Sequence, residues 1–267
     1  MRTYWVFFKM RVINGLQYRT AAWAGVFTQF FWGFMEIQLY RVLYAANPER
    51  FPMALSGIVS YIWLRQALLA LLNTWTIENE LFTTVLDGSV AYELCRPSSL
   101  YGMWYTRTIA LRVSRVLLRC LPILLVAALL PAPWGMNAPA SAGAFVWFAV
   151  SLALAACVTV AYTMIIYFSC FYTTSADGLR AVLMPMSDLM SGGYIPLPFL
   201  PAWLQRTLEL SPFGAMQNAP LRIYSGDIAG AALMETIALQ LFWLAALGAV
   251  GYIMQQRGLK RLSVAGG

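Results

Sequence analysis

The sequence predicts an all-α integral membrane protein with six transmembrane helices. Of its 267 residues, 60% are hydrophobic and 11% are charged, whereas a soluble domain averages about 45–50% apolar and about 25% charged residues. Such a chain lacks the polar surface that a water-soluble globule needs. Five stretches are long and apolar enough to cross a bilayer, and a sixth is interrupted by helix breakers. We expect a single transmembrane domain over residues 1–267.

The composition also argues against most catalytic chemistry. Because the sequence has no histidine, it lacks Ser-His-Asp and Cys-His nucleophile systems and every metal site built on histidine. Its four cysteines are widely spaced and form no C-x-x-C pair, so we expect structural thiols. We therefore expect no catalytic residue and no metal site.

Residues 1–20 are expected to form an interfacial helix. Trp5, Phe8 and Val12 recur at roughly helical spacing. The charged residues of this segment are all positive, namely Arg2, Lys9, Arg11 and Arg19. This combination suits a helix lying on an anionic membrane face. An extended basic lead-in is the alternative interpretation.

The first two spans, residues 21–43 and 54–76, are predicted to form a helical hairpin around a short polar turn, Asn47-Pro48-Glu49-Arg50. A third helix begins near Trp104, with four arginines in its first half. The fourth span covers residues 144–171, and the last covers residues 228–254.

The fifth apolar stretch, residues 179–200, is predicted to be broken. It contains three prolines, Gly192, Gly193 and Asp188. Helix breakers expose backbone groups, which membrane interiors tolerate only where protein or a water-lined cavity satisfies them. The amphipathic residues 200–227 that follow are expected to form an outer re-entrant helical hairpin.

The distribution of lysine and arginine predicts that both termini are cytoplasmic. In that orientation the inner segments hold 13 of the 18 basic residues, the outer segments hold four, and Arg65 lies within the second span. This asymmetry accounts for the net charge of +7. No nucleic acid is therefore expected as a partner.

Residues 77–108 form the only sizeable cytoplasmic segment, and we interpret it as a docking surface for an energy-supplying partner. The sequence contains no G-x-x-x-x-G-K-[ST] phosphate loop, so transport driven by ATP would require a separate ATPase. An apolar stripe is expected to pack inward, formed by Leu81, Val85, Val90, Ala91 and Leu94. The acidic side chains are expected to face outward, and they are Glu78, Glu80, Asp87 and Glu93. An ordinary solvated connecting helix is the alternative.

Four ionisable residues lie at predicted membrane depth: Glu36, Arg65, Asp188 and Glu235. Charges within spans usually face a bundle interior or a watery cavity, so Glu36 and Asp188 are candidates for a translocation pathway or a subunit interface. The first span nevertheless has enough large apolar residues to carry Glu36 without a function. Arg65 and Glu235 are expected near the membrane interfaces.

The remaining pathway candidates come from the first and fifth spans. Phe30 and Phe34 belong to an aromatic series that suits lipid contact or packing, or else a wall for a hydrophobic or cationic substrate. Gly192, Gly193 and Pro196 belong to the broken stretch.

One segment resembles the cytoplasmic signature of type-2 ATP-binding cassette (ABC) exporter permeases, in the bacterial branch with the pattern G-x-x-A-Y-x-L-x-R-P. That segment is Asp87-Gly88-Ser89-Val90-Ala91-Tyr92-Glu93-Leu94-Cys95-Arg96-Pro97. Further matches follow in order, including Ile195-Pro196-Leu197, Leu200-Pro201-x-Trp203-Leu204, Ser211-Pro212-Phe213, Ala219-Pro220-Leu221 and the terminal Gly266-Gly267. Cys95 and Met190 depart from the pattern, where a leucine-like residue and an aromatic residue would be usual.

This resemblance implies two permeases side by side, the second being the same or a similar chain, with two copies of an ABC ATPase docked beneath them in a bacterial inner membrane. ATP and Mg would be held by the ATPase, and this chain would bind no cofactor. The coupling helix would lie around residues 78–97. The ATPase-coupling candidates are Glu78, Glu80, Asp87, Gly88, Glu93, Arg96 and Pro97.

The expected function is the permease subunit of an exporter that moves a hydrophobic, amphipathic or cationic substrate out of the cytoplasm or the inner leaflet. A secondary transporter driven by an ion gradient, using Glu36 and Asp188, is the alternative. The sequence has no inverted repeat to support it. An intramembrane enzyme is a third class, which lacks any recognisable nucleophile with a base.

Overall fold

The computed structural model describes residues 2–17, 19–46, 49, 51–173 and 177–261, and the regular structure within these ranges is entirely helical. The described α-helices are α1 Arg2–Gly15, α2 Arg19–Ala46, α3 Leu55–Leu72, α4 Asn79–Leu86, α5 Val90–Leu94, α6 Leu100–Leu129, α7 Ala142–Ser169, α8 Asp177–Met190, α9 Ala202–Leu210, α10 Ala219–Tyr224 and α11 Ala231–Leu259. A 3-10 turn at Leu197–Phe199 precedes α9, and a π-helical turn at Gly214–Asn218 precedes α10.

Three of the described helices, α3, α7 and α11, are long and apolar enough to cross a membrane. Helices α2 and α6 are also long, at 28 and 30 residues, but they carry more polar and charged side chains. Helix α8 has 14 residues, about 21 Å at 1.5 Å per residue, and is shorter than the roughly 30 Å hydrocarbon core.

The long helices pack around α7 and α3. Helix α7 packs along α11 and also contacts α10, whereas α3 packs along α6 and α2. One apolar cluster lies beneath α4 and α5, and it includes Trp104, Tyr167 and Phe168. A second joins α3, α6, α7 and α10. A third, around Trp63, joins α2, α3 and α6.

Helix α1 lies along the first half of α6 and runs in the same direction. Gly102 packs against the ring of Tyr4, and Gly15 packs against Ser114. The Ser99 backbone N–H also donates a hydrogen bond to the Tyr4 hydroxyl at 3.1 Å. The segment predicted to be an interfacial helix is thus helical over Arg2–Gly15, and α6 is the element that positions it.

The second predicted span is shorter than expected because α3 ends at Leu72. Asn73 is extended, and its side-chain oxygen accepts hydrogen bonds from the backbone N–H and the hydroxyl of Thr76. An asparagine side chain that satisfies the backbone locally competes with helix continuation. The polar turn predicted at Asn47, Pro48 and Arg50 and the terminal pair Gly266-Gly267 lie outside the described residues.

The third predicted helix begins earlier than Trp104, at Leu100. Ser99 precedes it in an extended conformation, and its hydroxyl accepts a hydrogen bond from the Gly102 N–H at 3.4 Å. Serine in this position satisfies one of the free N–H groups at a helix start. Arg107 and Arg112 therefore lie two and three turns inside α6.

Helix α8 ends at Met190, within the stretch that was predicted to be interrupted. Gly192 has a φ of +86°, a left-handed conformation that favours glycine. The segment at residues 200–227 contains α9, the π-helical turn and α10. The π-helical turn is buried, and the fully buried Gln240 of α11 donates to the Ala215 and Ser151 carbonyls at 2.9 and 3.1 Å.

Candidate functional site

The connection between α3 and α6 forms a compact unit on the end of the bundle. Leu81, Phe82 and Val85 on α4 and Val90 on α5 are buried in the cluster that contains Trp104 and Tyr167. The Phe82 ring lies 4.9 Å from the Tyr167 ring. Apolar residues at helical spacing thus attach α4 and α5 to α6 and α7.

Two of the acidic residues in this connection turn inward, so the prediction that they face outward is wrong. Glu78 forms an ion pair with Arg107, which also pairs with Glu80. Glu93 accepts a hydrogen bond from the Trp104 indole N–H. Arg107 and Trp104 of α6 explain the difference, because the Arg107 guanidinium pairs with Glu78 and the Trp104 indole N–H donates to Glu93.

The predicted apolar stripe is also shorter than expected. Leu81, Val85 and Val90 are buried, whereas Leu94 is 45% exposed and Ala91 is only partly covered. Helix α5 has only five residues, so it cannot continue the stripe of α4 around the turn between them. The apolar side chain of Leu94 consequently faces away from the protein.

The exposed end of this unit, which we call the tip, comprises residues 86–97. Tyr92 is 79% exposed, and Leu86, Leu94, Arg96 and Pro97 are exposed beside it. Sequence analysis did not single out Tyr92, although an aromatic residue within an otherwise polar turn was a visible signal. A large exposed aromatic ring with apolar and basic neighbours is typical of a protein interface.

The turn of the tip is held by local geometry at Asp87, Gly88 and Ser89. Gly88 has a φ of +78° and open space around it. The Asp87 carboxylate accepts a hydrogen bond from the Ser89 backbone N–H at 2.9 Å. This bond and that from the Ser89 hydroxyl lower the pKa of Asp87 below its ordinary value, because they stabilise the ionised form.

The intramembrane residues form a second polar group around α3. Arg65 pairs with Glu36 of α2 and donates a hydrogen bond to the Gly193 carbonyl. Both side chains are buried or nearly so, at 7% and 14% exposure. Arg65 was expected near an interface, and it instead links α2, α3 and the break after α8.

Asp188 lies beside the C-terminal end of α3, whereas the break at Gly192 lies beside Tyr61 in the first half of α3. The Asp188 carboxylate accepts hydrogen bonds from the Thr74 N–H at 3.2 Å and from the Thr74 hydroxyl at 3.1 Å. The Tyr61 hydroxyl donates to the Gly192 carbonyl at 3.3 Å. A Cβ at Gly193 would lie 2.6 Å from the Asp188 carbonyl oxygen, so this position needs glycine.

The aromatic pathway candidates pack against Trp63 of α3. The rings of Phe30 and Phe34 lie 5.9 and 5.1 Å from the Trp63 ring in edge-on arrangements. Pro196 is buried next to the 3-10 turn. Each of the pathway candidates in this group therefore contacts α3, or Thr74 just beyond it: Phe30, Phe34, Glu36, Asp188, Gly192 and Gly193.

Sequence analysis did not identify three residues of this group: Tyr61, Thr74 and Arg112. Tyr61 and Thr74 form hydrogen bonds with Gly192 and Asp188. Arg112 is fully buried and donates to the Leu71 and Asn73 carbonyls and to the Thr163 hydroxyl. It therefore ties the end of α3 to α6 and α7. No sequence signal identified these partners, because they are 39 to 51 residues from Arg112. Across the described ranges, no group of three His, Cys, Asp or Glu side chains is placed to hold a metal ion.

Comparison with protein families gives one match, and comparison with curated proteins gives none. Residues 31–266 match the family described as "ABC-2 family transporter protein". The match includes both polar groups described above. It also confirms the expectation of an ABC permease that crosses the membrane several times and associates with an ABC ATPase. The chain belongs to the ABC-2 family of transporter proteins.

Proposed function

We propose that this chain is the permease subunit of an ATP-driven exporter, with six spans and both termini on the cytoplasmic side of a bacterial inner membrane. Two such permeases, identical or similar, would stand on two ATPase subunits that bind ATP and Mg. The substrate would be hydrophobic, amphipathic or cationic and would leave the cytoplasm or the inner leaflet. The observation that carries this proposal is the exposed tip at residues 86–97.

The tip suits an ATPase groove because it combines anchoring side chains with a rigid base. Tyr92 and Leu94 offer apolar surface, and Arg96 offers charge. Beneath them, Glu93 is fixed by Trp104, and Arg107 is fixed by Glu78. Buried aromatic and arginine anchors contribute most of the energy in protein interfaces.

The contacts also supply a route from the tip to the membrane interior. Arg112 joins α6 to the last carbonyls of α3, so a displacement of the tip would move both helices. Further along α3, Arg65 and Tyr61 hold the break at Gly192 and Gly193. In the proposed mechanism, closure of the ATPase pair moves the tip, and α3 carries this movement to the broken fifth span.

Two variants separate docking from coupling. Tyr92→Ala removes an exposed anchor, and we expect it to weaken binding of the copurified ATPase by about 30-fold, the effect of losing a hot spot of about 2 kcal/mol. Glu93→Gln keeps the tip surface, and we expect it to retain ATPase binding but to lose the permease-dependent change in ATP hydrolysis. Binding is measured by titrating the purified ATPase onto the full chain in nanodiscs.

Trp203→Ala is the matched control, because Trp203 is 72% exposed on α9, on the opposite side of the proposed membrane. It should leave both ATPase binding and ATP hydrolysis unchanged. Equal ATPase affinity of the wild-type chain and Tyr92→Ala would refute docking at the tip. Substrate movement by the chain alone, without ATP, would refute the exporter assignment.

A further inference from the structure

The arginines of α6 divide into two pairs with different surroundings. Arg107 pairs with Glu78 and Glu80, and Arg112 donates to three oxygens. Arg115 and Arg119 follow on the same helix. Among the residues that the structure describes, neither of these two guanidinium groups has a carboxylate partner or donates a hydrogen bond. Two positive charges one turn apart repel each other unless an anion lies between them.

The guanidinium group of Arg119 lies against the surface of α2. A Cβ at Gly25 would lie 2.5 Å from the Arg119 Cζ and 2.8 Å from its Nη1. The Arg119 guanidinium therefore lies directly against the backbone of α2 at Gly25. Arg119 is half-buried in this crevice, whereas Arg115 is exposed at its edge.

A buried amide without a partner lies one turn further along α2. Gln29 is 4% exposed, and neither its Nε2 nor its Oε1 has a hydrogen-bond partner in the part of the chain that the structure describes. Residues 25 and 29 share a helix face, so the Gln29 amide lies on the same side of α2 as the Arg119 guanidinium. A buried amide that lacks both partners is costly, and it adds a polar group to this face of α2.

The depth of the crevice matches the headgroup region of a membrane. Gly25 lies six residues after Arg19, the first residue of α2, which corresponds to about 9 Å along the helix axis. Side chains of a helix tilt towards its N-terminus, so Arg115 and Arg119 point back towards the end where Arg112 meets the last carbonyls of α3. Long basic side chains bury their stems and extend in this way to bring the charge towards water.

We propose that the crevice formed by Gly25, Arg115 and Arg119 binds the phosphodiester of an anionic glycerophospholipid. The two guanidinium groups bind the phosphate oxygens, because arginine forms charge-assisted hydrogen bonds with phosphate. In the proposed orientation this is a lipid of the inner leaflet.

The test counts lipids retained by the full chain. The purified chain is titrated in detergent with dioleoyl phosphatidylglycerol or with dioleoyl phosphatidylcholine, and native mass spectrometry measures the bound fraction. We expect preferential retention of phosphatidylglycerol. Removal of both charges with Arg115→Gln and Arg119→Gln should weaken that retention by about tenfold or more. The double variant Arg257→Gln and Lys260→Gln is the matched control, since it also removes two exposed positive charges, at the end of α11. It should retain phosphatidylglycerol like the wild type.

Further experiments test whether the bound phosphate belongs to a lipid or to a small soluble molecule, and whether the variants are folded. Glycerol 3-phosphate and inorganic phosphate at millimolar concentration should not displace the lipid, and displacement would overturn a lipid as the ligand. Arg115→Lys and Arg119→Lys keep both charges and should restore part of the retention, which excludes misfolding as the cause. Equal retention of both lipids by the wild type, or an unchanged affinity of the double glutamine variant, would overturn the site. Lipid retention does not depend on the ATPase, so this result is independent of the proposed transport function.

Discussion

The ion pair between Arg65 and Glu36 permits a quantitative test of what holds the broken span in place. Replacing Arg65 with methionine leaves the nearly buried Glu36 carboxylate without its cation and the Gly193 carbonyl without its donor. Breaking a buried pair from one side costs about 3–5 kcal/mol. For a chain of this size, each kcal/mol lowers the melting temperature by about 2–4 °C. We therefore expect Arg65→Met to lower the melting temperature by about 6–20 °C.

The assay is thermal denaturation of the detergent-solubilised chain, followed by the loss of monodisperse protein. The double variant Glu36→Gln and Arg65→Met removes both charges, and we expect it to recover most of the loss, because replacing a whole buried pair is often nearly neutral. Arg206→Met changes an exposed arginine of α9 and should alter stability by less than about 0.5 kcal/mol. A double variant no more stable than Arg65→Met would refute the pairing as the source of the effect.

Three further predictions follow from single contacts. Gly193→Ala places a methyl group 2.6 Å from the Asp188 carbonyl oxygen, and we expect about 1–3 kcal/mol of destabilisation by thermal denaturation, which a wild-type melting temperature would contradict. The carboxyl of Asp87 has a lowered pKa, so its ionised form and the hydrogen bond from the Ser89 N–H persist as the pH falls from neutral and are lost only when the pH passes through that lowered pKa. Ser89→Ala should raise the midpoint in a carbon-13 NMR titration, and an unchanged midpoint would exclude the hydroxyl contribution. Gln240→Leu removes the donor to the Ala215 carbonyl, and faster hydrogen exchange at residues 214–218 should follow; unchanged exchange would contradict this role.

Much of the local structure could be predicted from the sequence because it depends on composition and short-range pattern. Long apolar runs predicted α7 and α11 to within a few residues, since a span is defined by the thickness of the hydrocarbon core. The prolines and glycines of residues 179–200 predicted the break, and the structure leaves the helix at Gly192 with a positive φ. The motif series around residues 87–97 indicated the ABC-2 family, which the family comparison confirms.

The partners of the charged side chains were decided only by the tertiary structure. A sequence pattern indicates only whether a charged residue faces solvent or carries a free-energy cost of burial, and it does not identify the residue's partner. Glu78 and Glu93 illustrate the error, because Arg107 and Trp104 lie on a helix that folds back beneath them. The same is true of Arg65, whose partners are 29 and 128 residues away. A buried charge is stable only where its counter-charge and hydrogen-bond partners converge, and that convergence depends on how the helices pack. The sequence by itself indicated that the chain crosses membranes and which segment is the candidate for ATPase docking, whereas helix packing decided which side chains join that segment to the membrane interior.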